Sequence, residues 1–396
     1  MQSSSAARQV VTWAPLAALL IVLLPALSTA QELAKPAAAT AQTPGTSVPV
    51  LTEAKRREIN QAAERLTSKT FAEVLQRADA GDVEAQVLAG IALTDGKVVP
   101  KDVDRALYWT RTAAEKSHPM AQNMLGNLYQ DGLGMPKDPQ QAVEWYTKAA
   151  AQGYGQAQTA LGVAYYSGLG VPANPVEAVR LFRLAAEQEN LNGQRCLGLA
   201  YLLGRGVKKD LSEAVVWFRK AAEGGDPTAQ CDLALAYLRG EGVAKDKREA
   251  EKWFKKASEQ GDAFGSFRYG WLYLEKPGPG RLDPIATRVG VDSLKLSAEQ
   301  GYPVAAFVVG EIFSGRMFKY HVETDNLEAC SWYVIASSLD RQDPWAEGQP
   351  AAVAAMRKDL PGRIAKTRKS LGATEYAECE RRASDWITAH PQQRQD

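Results

Sequence analysis

From Ala85 onward the apolar positions form paired stripes that return every 36 residues. In AQNMLGNLYQDGLGMPKDPQQAVEWYTKAAAQG, which begins at Ala121, residues Ala121, Leu125, Leu128 and Tyr129 recur at i, i+4, i+7 and i+8, the spacing of one helix face. After a glycine-rich break, Ala142, Trp145, Tyr146, Ala149 and Ala150 make a second helical stripe. The pattern restarts at Ala157 (AQTALGVAYYSGLGVPANPVEAVRLFRLAAEQ), Gly193 and Ala229, and an earlier copy starts at Ala85. Looser copies start near Gly265 and Ala305, with insertions ahead of their second halves, and Gly290 stands where the other units carry alanine. The phase extends upstream as well, since Gly81 precedes Ser117 by 36 residues. One such hairpin cannot bury both stripes, but stacking on its neighbours can. The pattern therefore predicts an all-α chain of about seven helix-turn-helix units.

The turn between the helices, DGLGMPKD in the second unit, invites a phosphate-loop reading because glycines lead into a helix. A phosphate loop occurs once and follows a strand, whereas this turn recurs and follows helices. Its glycines have a structural reading instead. Gly132 falls where the first helix ends in a left-handed residue, and Gly134 continues the turn. Met135 (Val171, Val207 and Val243 in later units) is expected to plug the hairpin. Asp138 suits the N-cap of the second helix with Pro139 at its first position, and Asn174-Pro175 repeats the arrangement. Asp210 with Glu213 and Asp246 with Glu249 resemble capping boxes.

The composite AQxxLGxxYxxGxGVxxDxxxAxxWYxKAAxQG resembles the Sel-one-like repeat, a relative of the tetratricopeptide repeat. The resemblance covers Ala85 to Leu339, and the tail RIAKTRKSLGATEYAECERRASDWI resembles the terminal helices of that family. It implies a right-handed superhelical α/α solenoid with capping helices at both ends, and adaptor or scaffold roles, often in bacterial envelopes. The expected organisation is capping helices over 52–84, repeats over 85–340 and capping helices over 341–396.

Counting each unit from its first residue, positions 3, 7, 10 and 11 lie opposite the packing face of the first helix. The tetratricopeptide resemblance implies that this side lines a concave groove. Its second unit offers Asn123, Asn127 and Gln130, and the third Tyr166 beside Val163. The fourth offers Arg195, Leu199 and Leu202, and the fifth Leu235, Leu238 and Arg239. The sixth offers Phe267, Trp271 and Leu274. The side thus changes from amide-rich to apolar and aromatic, as a protein-binding surface would. Burial of the same residues against neighbouring first helices, or beneath the C-terminal helices, is the alternative.

Residues 1–30 read as an export signal, with Arg8, the apolar run APLAALLIVLLPAL and the small residues STA before Gln31. Residues 31–51, rich in alanine, proline and threonine, read as a disordered linker. The location expected is periplasmic or secreted, with no integral membrane span after cleavage. An uncleaved N-terminal anchor is the alternative. With 47 Lys+Arg against 46 Asp+Glu, no nucleic-acid partner is indicated.

Catalytic and cofactor chemistry is not evident. The three histidines, His118, His321 and His390, lie far apart, with no H-E-x-x-H pattern for a metal, and His118 reads as a surface turn residue. Some secreted members of the resembled family carry a β-lactamase label, but the S-x-x-K and K-T-G signatures of serine β-lactamases are missing here. No catalytic, cofactor or metal residue is assigned. In that family's arrangement Cys330, on the second helix of the seventh unit, and Cys379, on the final helix, would pack nearby. A bridge between them and two buried free thiols are the alternatives, while Cys196 and Cys231 read as free. The function expected is a protein-binding scaffold or regulatory adaptor of the envelope. A peptidoglycan- or exopolysaccharide-associated module of an envelope or export complex is the runner-up, and a β-lactamase-like hydrolase a remote third.

Overall fold

The computed structural model describes residues 53–275, 284–317, 323–341 and 351–390. The expected export signal and linker, His321 and the tail after His390 lie outside the described residues. Among the described residues every regular element is a helix. Helices α1 (Glu53–Glu64) and α2 (Ser68–Asp79) come first. Four hairpins follow: α3 (Val83–Asp95) with α4 (Val103–Glu115), α5 (Pro119–Asp131) with α6 (Pro139–Ala151), α7 (Gly155–Ser167) with α8 (Pro175–Glu187), and α9 (Leu191–Leu203) with α10 (Leu211–Glu223). Next are α11 (Pro227–Arg239), α12 (Lys247–Glu259), α13 (Ala263–Leu274), α14 (Pro284–Glu299), α15 (Pro303–Phe313) and α16 (Asn326–Arg341). The last, α17 (Ala351–Ala389), is broken into two arms at Gly372, whose φ is 75°. The described residues form two compact units, 53–250 and 251–390. Consecutive helix pairs stack in each as a solenoid.

The hairpin turn follows its local chemistry. Gly132 ends α5 at φ 74°, and its N–H donates to Leu128 O. Asp138 Oδ1 accepts from the N–H groups of Gln140 and Gln141 at 3.1 and 3.0 Å, capping α6. Asn174, Asp210 and Asp246 cap their helices in the same way. The second glycine of the turn has a further reason to lack a side chain. A Cβ on Gly170 would collide with the carbonyl oxygen of Pro139, and one on Gly206 with that of Pro175. Each second glycine therefore seats its turn on the first residue of the preceding unit's second helix.

Glutamines at the second position of four units in 53–250 tie the stack together from inside. Nε2 of Gln86 donates to Ala78 O at 3.0 Å, Gln122 to Ala114 O at 3.3 Å, Gln194 to Ala186 O at 3.3 Å and Gln230 to Ala222 O at 3.1 Å. Each carbonyl lies in the last turn of the previous helix and already accepts a backbone N–H three residues on, so the glutamine adds a second donor that ties the next helix to it.

In the unit 251–390 the core joins α13–α16 to both arms of α17, through Met356 and Leu360 on one arm and Ala383 on the other. Cys330 and Cys379 form a disulfide, Cα atoms 5.9 Å apart, between α16 and the second arm. Glu311 carboxylate oxygens accept from the Tyr333 hydroxyl at 2.6 Å and pair with Arg363 at 3.0 Å, joining α15, α16 and the first arm. Gly290 also finds its reason here. A Cβ on Gly270 would lie 2.7 Å from Gly290 O, so α13 and α14 cross too closely for an alanine at either position.

Candidate interaction surface

The first helices of the unit 53–250 carry most of the expected groove residues, and the structure sorts them by exposure. On α5, Asn123 is buried at 7% exposure, so it offers nothing to a partner. Asn127 is exposed and Gln130 half-buried. Their amide oxygens lie 2.8 and 3.2 Å from the Tyr146 hydroxyl, which holds this amide-rich end against the second helix. Tyr166 on α7 is half-buried with the Arg205 guanidinium over its ring, 4.4 Å from the centroid. Burial pushes its hydroxyl above the ordinary tyrosine pKa.

Arg195 is not a free cation either. Its Nε donates to Asp232 Oδ2 at 2.7 Å, linking α9 to α11. Burial works against its charge, but Asp232 holds the guanidinium above its ordinary pKa. Beside it, burial pushes the Cys196 thiol up to about 11, so at neutral pH it is the unreactive thiol. Cys231 is buried. Arg239 is exposed and lies 3.6 Å from Glu241.

The remaining side chains make an apolar run. Leu199 and Leu202 on α9 and Leu235 and Leu238 on α11 are half-buried, flanked by Val163 at 45% and Leu203 at 37% exposure. In the unit 251–390 the expected aromatic end is interior instead. Phe267 is 1% and Leu274 2% exposed, and Trp271 packs against the same core. The ring of Tyr302 lies 5.2 Å from that of Phe267, and Val304 and Val308 of α15 share the cluster. Apolar burial against α15 claims Phe267 and Leu274, so they are core and not groove.

Among the described residues no group of three or more His, Cys, Asp or Glu could hold a metal ion, and no helix is long and apolar enough to cross a membrane. His118 is half-buried and caps α5, its Nδ1 facing the Ala121 N–H at 3.5 Å. The position-2 glutamines carry a sequence signal as strong as that of the glycines, recurring at Gln86, Gln122, Gln158, Gln194 and Gln230.

The Sel1 repeat profile matches residues 83–118, 119–154, 155–190, 193–226 and 227–262. A Sel1 repeat protein from Oxalobacter formigenes of known crystal structure is 33% identical over 63% of this chain and 96% of that chain, with a TM-score of 0.53. The chain belongs to the Sel1 repeat family. Two further similar structures are 22% identical with TM-scores of 0.41. One is c5321 of uropathogenic Escherichia coli, a protective antigen displaying an SLR fold, aligned over 85% of this chain and 95% of that one. The other is the immunity protein Pa5087 of Pseudomonas aeruginosa, aligned over 59% and 84%. No curated protein matches the chain. Sel1 repeat proteins are in general scaffolds for protein–protein interaction, typically without enzymatic activity.

Proposed function

We propose that this Sel1 repeat protein is an exported scaffold or regulatory adaptor of the bacterial envelope that holds a protein partner on the first-helix face of residues 53–250. The observation that carries this reading is the apolar run Val163, Leu199, Leu202, Leu203, Leu235 and Leu238 on α7, α9 and α11. Apolar surface left open on consecutive repeats gains free energy when a partner covers it. Export is supported by the signal-like residues 1–30 and by the Cys330–Cys379 disulfide, a bond that persists in oxidising compartments.

The test is site-specific photo-crosslinking of the full chain in the envelope of a bacterium that expresses it. A photoreactive residue at Leu202 or Leu238 is expected to trap the same discrete protein. One at Val176, which is 68% exposed on α8, should trap none. Leu238→Glu should abolish capture with helical content and melting temperature nearly unchanged. Equal trapping at Val176, no adduct from either leucine, or retention on peptidoglycan sacculi in place of a protein would overturn the reading.

A further inference from the structure

Thirty residues after Gln122 and Gln158, a second glutamine closes the space beside the first. Gln152 Nε2 donates to Gln122 Oε1 at 2.7 Å, and Gln188 Nε2 donates to Gln158 Oε1 at 2.9 Å. At the next register, the donor's place is taken by Gly224. Gln194 Oε1 is left with no hydrogen-bond partner, although Gln194 is only 6% exposed. The backbone does not require a glycine here, since Gly224 has φ −69°. A Cβ would meet chiefly Leu191 Cδ2, the end of a flexible side chain.

Beside that acceptor lies a pocket of about 970 Å³, lined by Gln194, Asn190 and Gly224 among others. Its rim is acidic. Glu187, Glu189 and Glu223 border it, with Asp226, which also caps α11. Against these four carboxylates the repeats set one ammonium, Lys220, which lies over the Trp217 ring. Arg56 and Arg57 of α1 line the same pocket, so the chain itself brings guanidinium groups to this rim. Glu189 holds φ 59° at a register where Gly153 and Gly225 stand in neighbouring units, so a carboxylate occupies a place that the backbone would give to glycine.

We propose that this pocket takes an arginine of a basic peptide segment on the partner protein. The guanidinium N–H groups would donate to Gln194 Oε1 and to the Glu187 and Glu223 carboxylates, the planar fork matching such acceptors better than a lysine ammonium does. The orphaned acceptor calls for a donor, and the lining holds one more carboxylate than cation; arginine answers both. The assignment deepens the scaffold reading and rests on it.

Fluorescence anisotropy of a labelled peptide with a central Arg-Arg pair, titrated with the full exported chain, tests the assignment. Peptides with Ala-Ala or Glu-Glu in its place are the controls. The arginine peptide should bind at least about tenfold tighter than either control, and added salt should weaken it. Gly224→Gln restores the closing glutamine and should lower affinity by about tenfold or more, at an unchanged melting temperature. Glu187→Gln with Glu223→Gln, both at exposed positions, should lower it comparably if Gly224→Gln disturbs the fold. Equal binding of the three peptides, or undiminished binding by the glutamine variants, overturns the pocket assignment. If Leu202 and Leu238 still trap a partner in that case, the scaffold reading stands and only the pocket falls.

Discussion

The ring of Tyr146 packs against Gly126, so closely that a Cβ at Gly126 would stand 2.5 Å from Tyr146 Cε1. The same contact recurs between Gly162 and Phe182, Gly198 and Phe218, and Gly310 and Tyr333. Tyr146 has nowhere to go, because it is 1% exposed and its hydroxyl bonds to Asn127. Gly126→Ala gains about 1 kcal/mol of helix propensity. It overpacks the seat by about 1–3 kcal/mol. The expected net result is a destabilisation of about 1 kcal/mol, read as a lower urea midpoint for the transition of the unit 53–250. A raised midpoint would show that the two helices part easily.

This relationship also marks what the sequence makes legible. The hairpins, the left-handed Gly132 and the Asp138 cap are each set by chemistry within a few residues, so they read directly from one repeat. The small residue at Gly126 reads only as permission for close approach; which ring fills the space depends on the facing helix. The groove is less legible because exposure at a given register depends on what packs next. Asn127 and Phe267 lie on the same side of their helices, yet one is exposed and the other is covered by Tyr302. The pocket is harder still, since its signal is a side chain missing at Gly224 and not one present.

His118 makes the stability depend on pH. As the α5 cap its Nδ1 must accept, which only the neutral ring can do, and burial lowers its pKa below the ordinary 6.5. Below pH 6.5 the unfolded chain then binds the proton before the folded one does. Stability present above that value is lost as pH falls through 6.5 toward the folded-state pKa. His118→Asp places here the cap used by Asp82, Asp226 and Asp262 and removes the ring. The variant should lose the downward slope of melting temperature between about pH 6.5 and pH 5 that the histidine contributes. An unchanged slope would clear His118 of that role.

The Cys330–Cys379 bridge closes a sequence separation of 49 residues. Chain-entropy reasoning gives such a loop about 4 kcal/mol of stabilisation, as an upper figure. Reduction should therefore lower the melting transition of the unit 251–390 and leave that of 53–250 in place. Thiol titration in denaturant should count two thiols, Cys196 and Cys231, before reduction and four after it. Four before reduction, in protein purified from the envelope, would refute the bridge.

Glu189 sets stability against binding at one position. Its φ of 59° costs a side-chain-bearing residue about 1–2 kcal/mol. Replacement by glycine returns part of that to the unfolded chain's greater freedom. Glu189→Gly should thus stabilise the unit 53–250 by about 0.5–1 kcal/mol. Ser117 supplies the control, because it holds φ 63° at the same register but does not line the acidic pocket. Ser117→Gly should stabilise by a similar amount and leave arginine-peptide affinity unchanged, whereas Glu189→Gly should weaken it. A gain in stability at both positions with no loss of affinity at either would mean that Glu189 bears its strain for no ligand. Weaker binding in Glu189→Gly alone would show a carboxylate kept in a glycine's place because the pocket uses its charge.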